Sequence, residues 1–222
     1  MPKRILVIAP HPDDETLGAG GTIAKHAAQG DEVSVLTVSG HLPPLYEQAA
    51  FDRTVDEANK AYAILGVAHS EFAGIPATMI GGRPVHERNK LLLDAVERAK
   101  PHIVLCPYPD RHVDHRLVFD AAMVATRPVG IGRGIEIVAA YEALSETHWN
   151  APHMEPNFVP NWVVDISDHM ETKKAALACY ESQVSPFPGP RSIEAVEALA
   201  KFRGTQAGFA YGEGMHVIRM VT

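Results

Sequence analysis

Ile5-Leu6-Val7-Ile8-Ala9-Pro10-His11-Pro12-Asp13-Asp14-Glu15 decides how this chain folds. The run Ile5 to Ala9 is short, uncharged and rich in β-branched residues, so it reads as a strand buried on both faces of a parallel sheet. Glu15 to Gln29 follows as a helix-length segment. Parallel α/β sheets bind ligands just beyond the carboxyl ends of their strands. One imidazole and three carboxylates therefore fall where such a fold puts its chemistry. Like charges this close cost free energy unless a cation or a shared proton offsets them. Pro12 suits the first helical position, where a missing N–H costs nothing. A helix starting there lets His11 and Asp14, three apart, face one way while Asp13 points elsewhere. The helix dipole alone favours one or two acidic residues at a helix start, but it explains neither the leading His nor the Asp pair. The stretch reads as a metal site.

A second cluster has the same setting. Ile103-Val104-Leu105-Cys106 is another apolar run, followed by a loop from Pro107 to Arg111, then His112-Val113-Asp114-His115, then a helical segment from Arg116 to Thr126. Both clusters follow strands and precede helices, which places them at one edge of a parallel sheet. His11, Asp14 and His115 make a two-His, one-carboxylate zinc set that leaves a coordination position open for water. Magnesium and calcium prefer mostly oxygen ligands, whereas ferrous iron also accepts two His and one carboxylate. Asp114 has two readings, as helix N-cap or as the partner orienting His112. Either leaves His115 free to bind.

Pro-His-Pro-Asp-Asp-Glu at Pro10 to Glu15, paired with His-x-Asp-His at His112 to His115, resembles the two motifs of the PIG-L/LmbE-like N-deacetylases. That family includes enzymes that remove acetyl from GlcNAc-phosphatidylinositol and from the GlcNAc-containing precursors of mycothiol and bacillithiol. Softer agreement runs along Glu57 to Gly66, around Ser182-Gln183 and at Ala210 to Glu213. The resemblance implies that His11, Asp14 and His115 are zinc ligands, that Asp13 is the general base, and that a protonated His112, oriented by Asp114, stabilises the tetrahedral oxyanion. It also places Arg53 near an arginine that contacts substrate in the family, with the register displaced by a residue. Glu15 receives no catalytic role; it reads as a helix-start carboxylate or a partner of its neighbours.

Working outward, strands and helices alternate. Glu32 to Val38 reads as strand two, Glu47 to Leu65 as a helix stopped by Gly66, His69 to Phe72 as a short third strand, Val85 to Lys100 as a helix closed by Pro101, and His102 to Cys106 as strand four. Ile135 to Tyr141 and Trp162 to Ile166 are later strand candidates, with helices at Asp168 to Ser182 and Ser192 to Phe202 and a loop at Ser185 to Pro190. The fold class is α/β: a Rossmann-like, mostly parallel sheet with helices on both faces. With 222 residues, 46% of them hydrophobic, the chain is expected to form a single domain over 1–222.

Other readings fare worse. Gly18, Gly20 and Gly21 do not form a dinucleotide fingerprint and fall inside a helical segment, where they suit close packing or a substrate edge. A phosphorylatable receiver domain needs an acceptor Asp after strand three and a Lys after strand five, and neither is present. Lys plus Arg is 20 against 27 for Asp plus Glu, a formal charge of −7, which argues against a nucleic-acid partner. No stretch reaches membrane-span length, no signal peptide is evident, and two cysteines make no disulfide framework; a cytoplasmic protein is expected, with homo-oligomerisation left open. Arg83, Arg111 and Arg191 lie in expected loops and together suit a phosphate or carboxylate on an aglycone. Tyr46, Trp149 and Trp162 suit a sugar ring or simple packing. His26, His69, His86 and His153 lack ligand spacing. The expected activity is zinc-dependent removal of acetyl from a small-molecule N-acetyl amino-sugar. The alternatives are another reaction on the same metal, such as hydration of a small unsaturated acid, and a non-catalytic metal-binding module, which would have no need of Asp13.

Overall fold

The computed structural model describes residues 2–151 and 154–221, so His153 lies outside the described residues. Five parallel strands come first: β1 (Arg4–Ala9), β2 (Glu32–Gly40), β3 (His69–Pro76), β4 (Ile103–Pro107) and β5 (Ile137–Tyr141). The helices α1 (Asp14–Ala28), α2 (Gln48–Leu65), α3 (Val85–Ala99) and α4 (Val113–Ala125) alternate with them. Then follow β6 (Trp162–Asp165), α5 (Met170–Leu177), α6 (Ile193–Thr205) and β7 (Gly212–Met220). The sheet order is β3-β2-β1-β4-β5-β7-β6, with β7 antiparallel to both of its neighbours.

The period of two along each strand explains the two-sided core. Ile5, Val7, Val33, Val35, Ile103 and Leu105 point to the face covered by α1, α2, α5 and α6. Leu6, Ile8, Leu36, Val38, Val104 and Cys106 alternate with them and point to the face covered by α3 and α4. Each such side chain, fully buried, stabilises by about 1.5–3 kcal/mol. Helices on both faces are what the uninterrupted apolar runs required. Gly66 ends α2 in the left-handed conformation, at φ 77°, where a Cβ would be strained.

The glycines of α1 serve packing. A Cβ on Gly18 would lie 2.2 Å from Tyr141 Cδ2, and one on Gly21 would lie 2.7 Å from Ile166 Cδ1. The same helix is pinned mid-length by buried charge. Glu213 on β7 accepts the Gly21 N–H (2.8 Å), the Thr22 N–H (2.7 Å), the Thr22 hydroxyl (2.6 Å) and the Lys173 ammonium (2.6 Å), while Lys173 also donates to Leu17 O (2.8 Å). Full pairing is what lets two charges sit so deep.

Three expectations need correction. β3 runs on to Pro76 rather than ending at Phe72. α5 stops at Leu177, not Ser182, because the following turn docks Tyr180 and Ser182 on buried carboxylates. β7 was not anticipated at all. No helix among the described residues is long and apolar enough to cross a membrane.

Candidate active site

The order β3-β2-β1-β4 reverses direction of travel between β1 and β4, and a crevice opens at such a switch point. β1 delivers His11 to Asp14 to one side of it; β4 and the first turn of α4 deliver Asp110 to His115 to the other. The turn after β1 is tight. Asp13 sits at φ 110°, a region that non-glycine residues rarely occupy. Its N–H donates to Glu15 Oε2 (3.3 Å) and its C=O accepts the Leu17 N–H (2.8 Å). Glu15 is held in turn by the Tyr180 hydroxyl (2.6 Å) and the Thr16 hydroxyl (2.8 Å). Burial pushes its carboxyl up against those bonds. Glu15 thus fixes the strained turn that presents Asp13.

Asp14 Oδ2 is the meeting point. It lies 3.2 Å from His11 Nδ1 and 3.3 Å from His115 Nε2. The far nitrogen of each imidazole meets another carboxylate: His11 Nε2 is 3.0 Å from Asp114 Oδ2, and His115 Nδ1 is 2.9 Å from Asp110 Oδ2. Asp114 Oδ2 also accepts the N–H of Thr78 (2.7 Å), itself at φ 64°. Asp110 also accepts the His112 N–H (2.9 Å) and the Thr147 hydroxyl (2.9 Å). Burial opposes charge on the imidazoles, but bonds to Asp114 and Asp14 hold His11 up at about 9, and the Asp14 charge with Asp110 holds His115 up at about 10. Asp14 is held well below the usual carboxylate range, against its burial, by His115 and His11.

A divalent ion fits here. His115 Nε2 is buried, has no hydrogen-bond partner among the described residues, and faces Asp14. With Asp110 accepting at Nδ1, the free lone pair is at Nε2. Tetrahedral zinc with bonds of about 2.0–2.1 Å holds its ligand atoms about 3.3 Å apart, close to the spacing of Asp14 Oδ2 from both imidazole nitrogens. Carboxylates behind metal-binding imidazoles fix ring orientation and raise ligand basicity. His11, His112 and His115 also offer nitrogens that all lie within 4.8 Å of one another, a cluster able to hold a metal ion. Asp110→Asn is expected to weaken metal affinity by about 10–100-fold and to cost of order 1–3 kcal/mol of stability, because a buried amide cannot accept from all three of its donors; metal titration alongside thermal melts checks this.

The structure redistributes two expected roles. Asp114 does not cap α4 and makes no hydrogen bond to His112 through its carboxylate; its Oδ2 meets His11 and accepts the Thr78 N–H, while Oδ1 is buried without a hydrogen bond. The cap is His112 itself, whose Nδ1 accepts the Asp114 N–H (3.2 Å). That bond leaves the proton of a neutral imidazole on Nε2. Burial and the neighbouring His11 and His115 charges bring His112 down to about 4. Arg53 is exposed on α2 and makes no hydrogen bond or ion pair among the described residues. The arginine at the site is Arg191, whose Nη1 is 3.4 Å from Asp13 Oδ2. Burial raises Asp13 to about 7, against the pull of Arg191. Asp110 and Thr147 were not recognised in the sequence as site residues, and Arg191 only as one of three loop arginines suited to an anionic group on the aglycone. Asp110, a further carboxylate two residues before His112, carried the one available signal.

Fold and site together define a Rossmann-like α/β protein whose switch-point crevice carries a histidine cluster able to hold a metal ion. Residues 6–126 match the family model described as PIG-L, GlcNAc-PI de-N-acetylase. The chain belongs to that family. It is 29% identical over 97% of its length to the diacetylchitobiose deacetylase of Thermococcus kodakarensis, covering 83% of that protein. It is 28% identical over 83% of its length to the 1D-myo-inositol 2-acetamido-2-deoxy-alpha-D-glucopyranoside deacetylase of Actinosynnema mirum, covering 82% of it. Among solved structures, the N,N'-diacetylchitobiose deacetylase of Pyrococcus horikoshii superposes with a TM-score of 0.77 at 25% identity, covering 97% of this chain and 84% of that one.

Proposed function

We propose that this protein is a zinc-dependent de-N-acetylase that hydrolyses the acetamido group of a small-molecule amino-sugar, releasing acetate and the free amine. The observation that carries the reading is the convergence of His11 Nδ1 and His115 Nε2 on Asp14 Oδ2, with the buried Asp13 Oδ2, which accepts no hydrogen bond and pairs only with the Arg191 guanidinium, beside it. His11, Asp14 and His115 would hold the ion. When bound, zinc or ferrous iron supplies a Lewis acid and brings a coordinated water toward a pKa of about 7.

The chain's own groups do the rest. Asp13, locked by its turn and close to neutrality in proton affinity, takes a proton from the attacking water and returns it to the departing nitrogen. His112 donates Nε2–H to the amide oxygen as negative charge develops there, a contribution of order 3 kcal/mol in comparable sites. Asp114 and Asp110 orient the two ligand imidazoles. Free Cys106 and Cys179 are compatible with a reducing, cytoplasmic setting; burial raises the Cys106 thiol to about 12, which removes it as a nucleophile.

Acetate release from N-acetylglucosamine, diacetylchitobiose and an N-acetylglucosaminyl inositol tests the reading, each with zinc, with ferrous iron and with metal removed. No acetate from any of them by the metal-loaded protein would overturn it. His112→Ala is expected to lower kcat by about 10²–10³-fold with a smaller change in KM, because its contact strengthens only as the oxyanion forms. The pH–rate profile checks its protonation state: loss of the alkaline limb in His112→Ala assigns that limb to a protonated His112, and an unchanged limb assigns it to another group. Full turnover in His112→Ala would move the oxyanion donor elsewhere.

A further inference from the structure

Arg191 stands next to the base, yet the chemistry above does not use it. The segment Ser185-Pro186-Phe187-Pro188-Gly189-Pro190 leads into it, and its three prolines restrict the backbone. Both sides of the loop are anchored. Glu57 on α2 accepts the Ser182 N–H (3.0 Å) and hydroxyl (2.6 Å), and buried Ser192 caps α6 by accepting the Ala195 N–H (3.1 Å). Arg191 is therefore delivered to the crevice by a stiff support.

Its guanidinium is only partly used. Nη1 lies 3.4 Å from Asp13 Oδ2 and donates to Gln183 Oε1 (3.5 Å). Nε and Nη2 have no partner among the described residues, and the side chain is 29% exposed. A guanidinium carries five N–H donors in a rigid planar fork, so most of this one is free to meet a ligand. An arginine serving only to neutralise Asp13 would not need an edge open to solvent. An amino-sugar carries oxygen on the ring carbons flanking its acetamido carbon, and those oxygens travel with the amide wherever it is placed.

Resting on the de-N-acetylase reading, we propose that Arg191 is a specificity-determining residue whose open edge binds an oxygen substituent flanking the substrate's acetamido group, so that sugar amides are selected over plain alkyl amides. A site built to hydrogen-bond a substrate oxygen discriminates strongly against analogues that lack it.

The test compares wild type, Arg191→Gln and Arg191→Lys, all loaded with metal verified by elemental analysis. The two probes are N-acetylglucosamine and N-cyclohexylacetamide, which keeps the ring and the amide but has no flanking oxygen; Ki for competitive inhibition replaces KM where turnover is slow. In Arg191→Gln the sugar-to-cyclohexyl ratio of kcat/KM, or of affinity, is expected to fall at least about 30-fold. Arg191→Lys, which keeps the charge but loses the fork, should fall between. A ratio unchanged in Arg191→Gln overturns the inference, whether both probes weaken together or neither does. If wild type hydrolyses N-acetyl sugars, that result leaves the de-N-acetylase reading standing. If metal-loaded wild type hydrolyses none and binds none, both fall.

Discussion

Asp13→Asn keeps its metal and loses about 10²–10⁴-fold in turnover, the range that a positioned general base supplies. The amide occupies the same volume, so the turn fixed by Glu15 and the approach of Arg191 persist, but it cannot accept the water's proton. Asp14→Asn is expected to differ in kind, because Asp14 Oδ2 is the atom on which His11 and His115 converge. Elemental analysis separates the two: metal retained in the first and lost from the second. Equal loss in both would end the division between base and ligand. The pH dependence follows from the same residue. Asp13 acts as a base only when ionised, so kcat/KM falls as pH drops through its pKa. Burial places that near 7 without metal, and a cation alongside favours the carboxylate, so the acid limb is expected at or below pH 7 and is absent in Asp13→Asn.

His115→Ala has the second large effect, and it falls on the metal. Losing a carboxylate from behind a metal-binding imidazole costs about 10–100-fold in affinity; removing the imidazole itself costs more. Asp14 and Asp110 then lose a buried partner, so some stability goes as well, of order 1–3 kcal/mol for an unsatisfied buried group. A competitive chelator titration reads the first effect and a denaturant titration the second. A His115→Ala protein that still holds one metal per chain with unchanged affinity would exclude the ligand set.

The parallel half of the sheet was legible because β1 and β4 carry short apolar runs buried on both faces, and β2 keeps Val33, Val35, Leu36 and Val38 buried among small polar residues. β7 was not, because Gly212-Glu213-Gly214 carries two residues with no strand preference around a buried charge, and its outer half, His216 to Met220, is partly exposed. Glu213 makes sense only beside Lys173 and α1, partners distant in sequence. The site shows the same divide. His11, Asp14 and His115 lie within two short motifs, and in the structure both imidazoles meet Asp14 Oδ2. Which carboxylate backs which imidazole depends on how β1 and α4 face each other across the switch point, so Asp114 was given to its neighbour His112 instead of to His11. Arg191 reaches Asp13 from a loop after α5 that no local pattern ties to β1, and Arg53, nearer the expected register, points outward.

The place of β7 in the sheet has a consequence for biosynthesis. β6 has one neighbour, β7, so when Trp162–Asp165 leaves the ribosome it has no strand to pair with, and an unpaired edge is a template for wrong partners. Glu213 arrives with the same late segment, so until then Lys173 and the N–H groups of Gly21 and Thr22 lack their carboxylate. The parallel half needs neither. His11, Asp14 and His115 have all emerged about half-way through translation. The nascent chain thus displays the proposed metal ligands well before the strand that seals the sheet exists, so that, on the proposed reading, metal capture and completion of the fold become separate events in time.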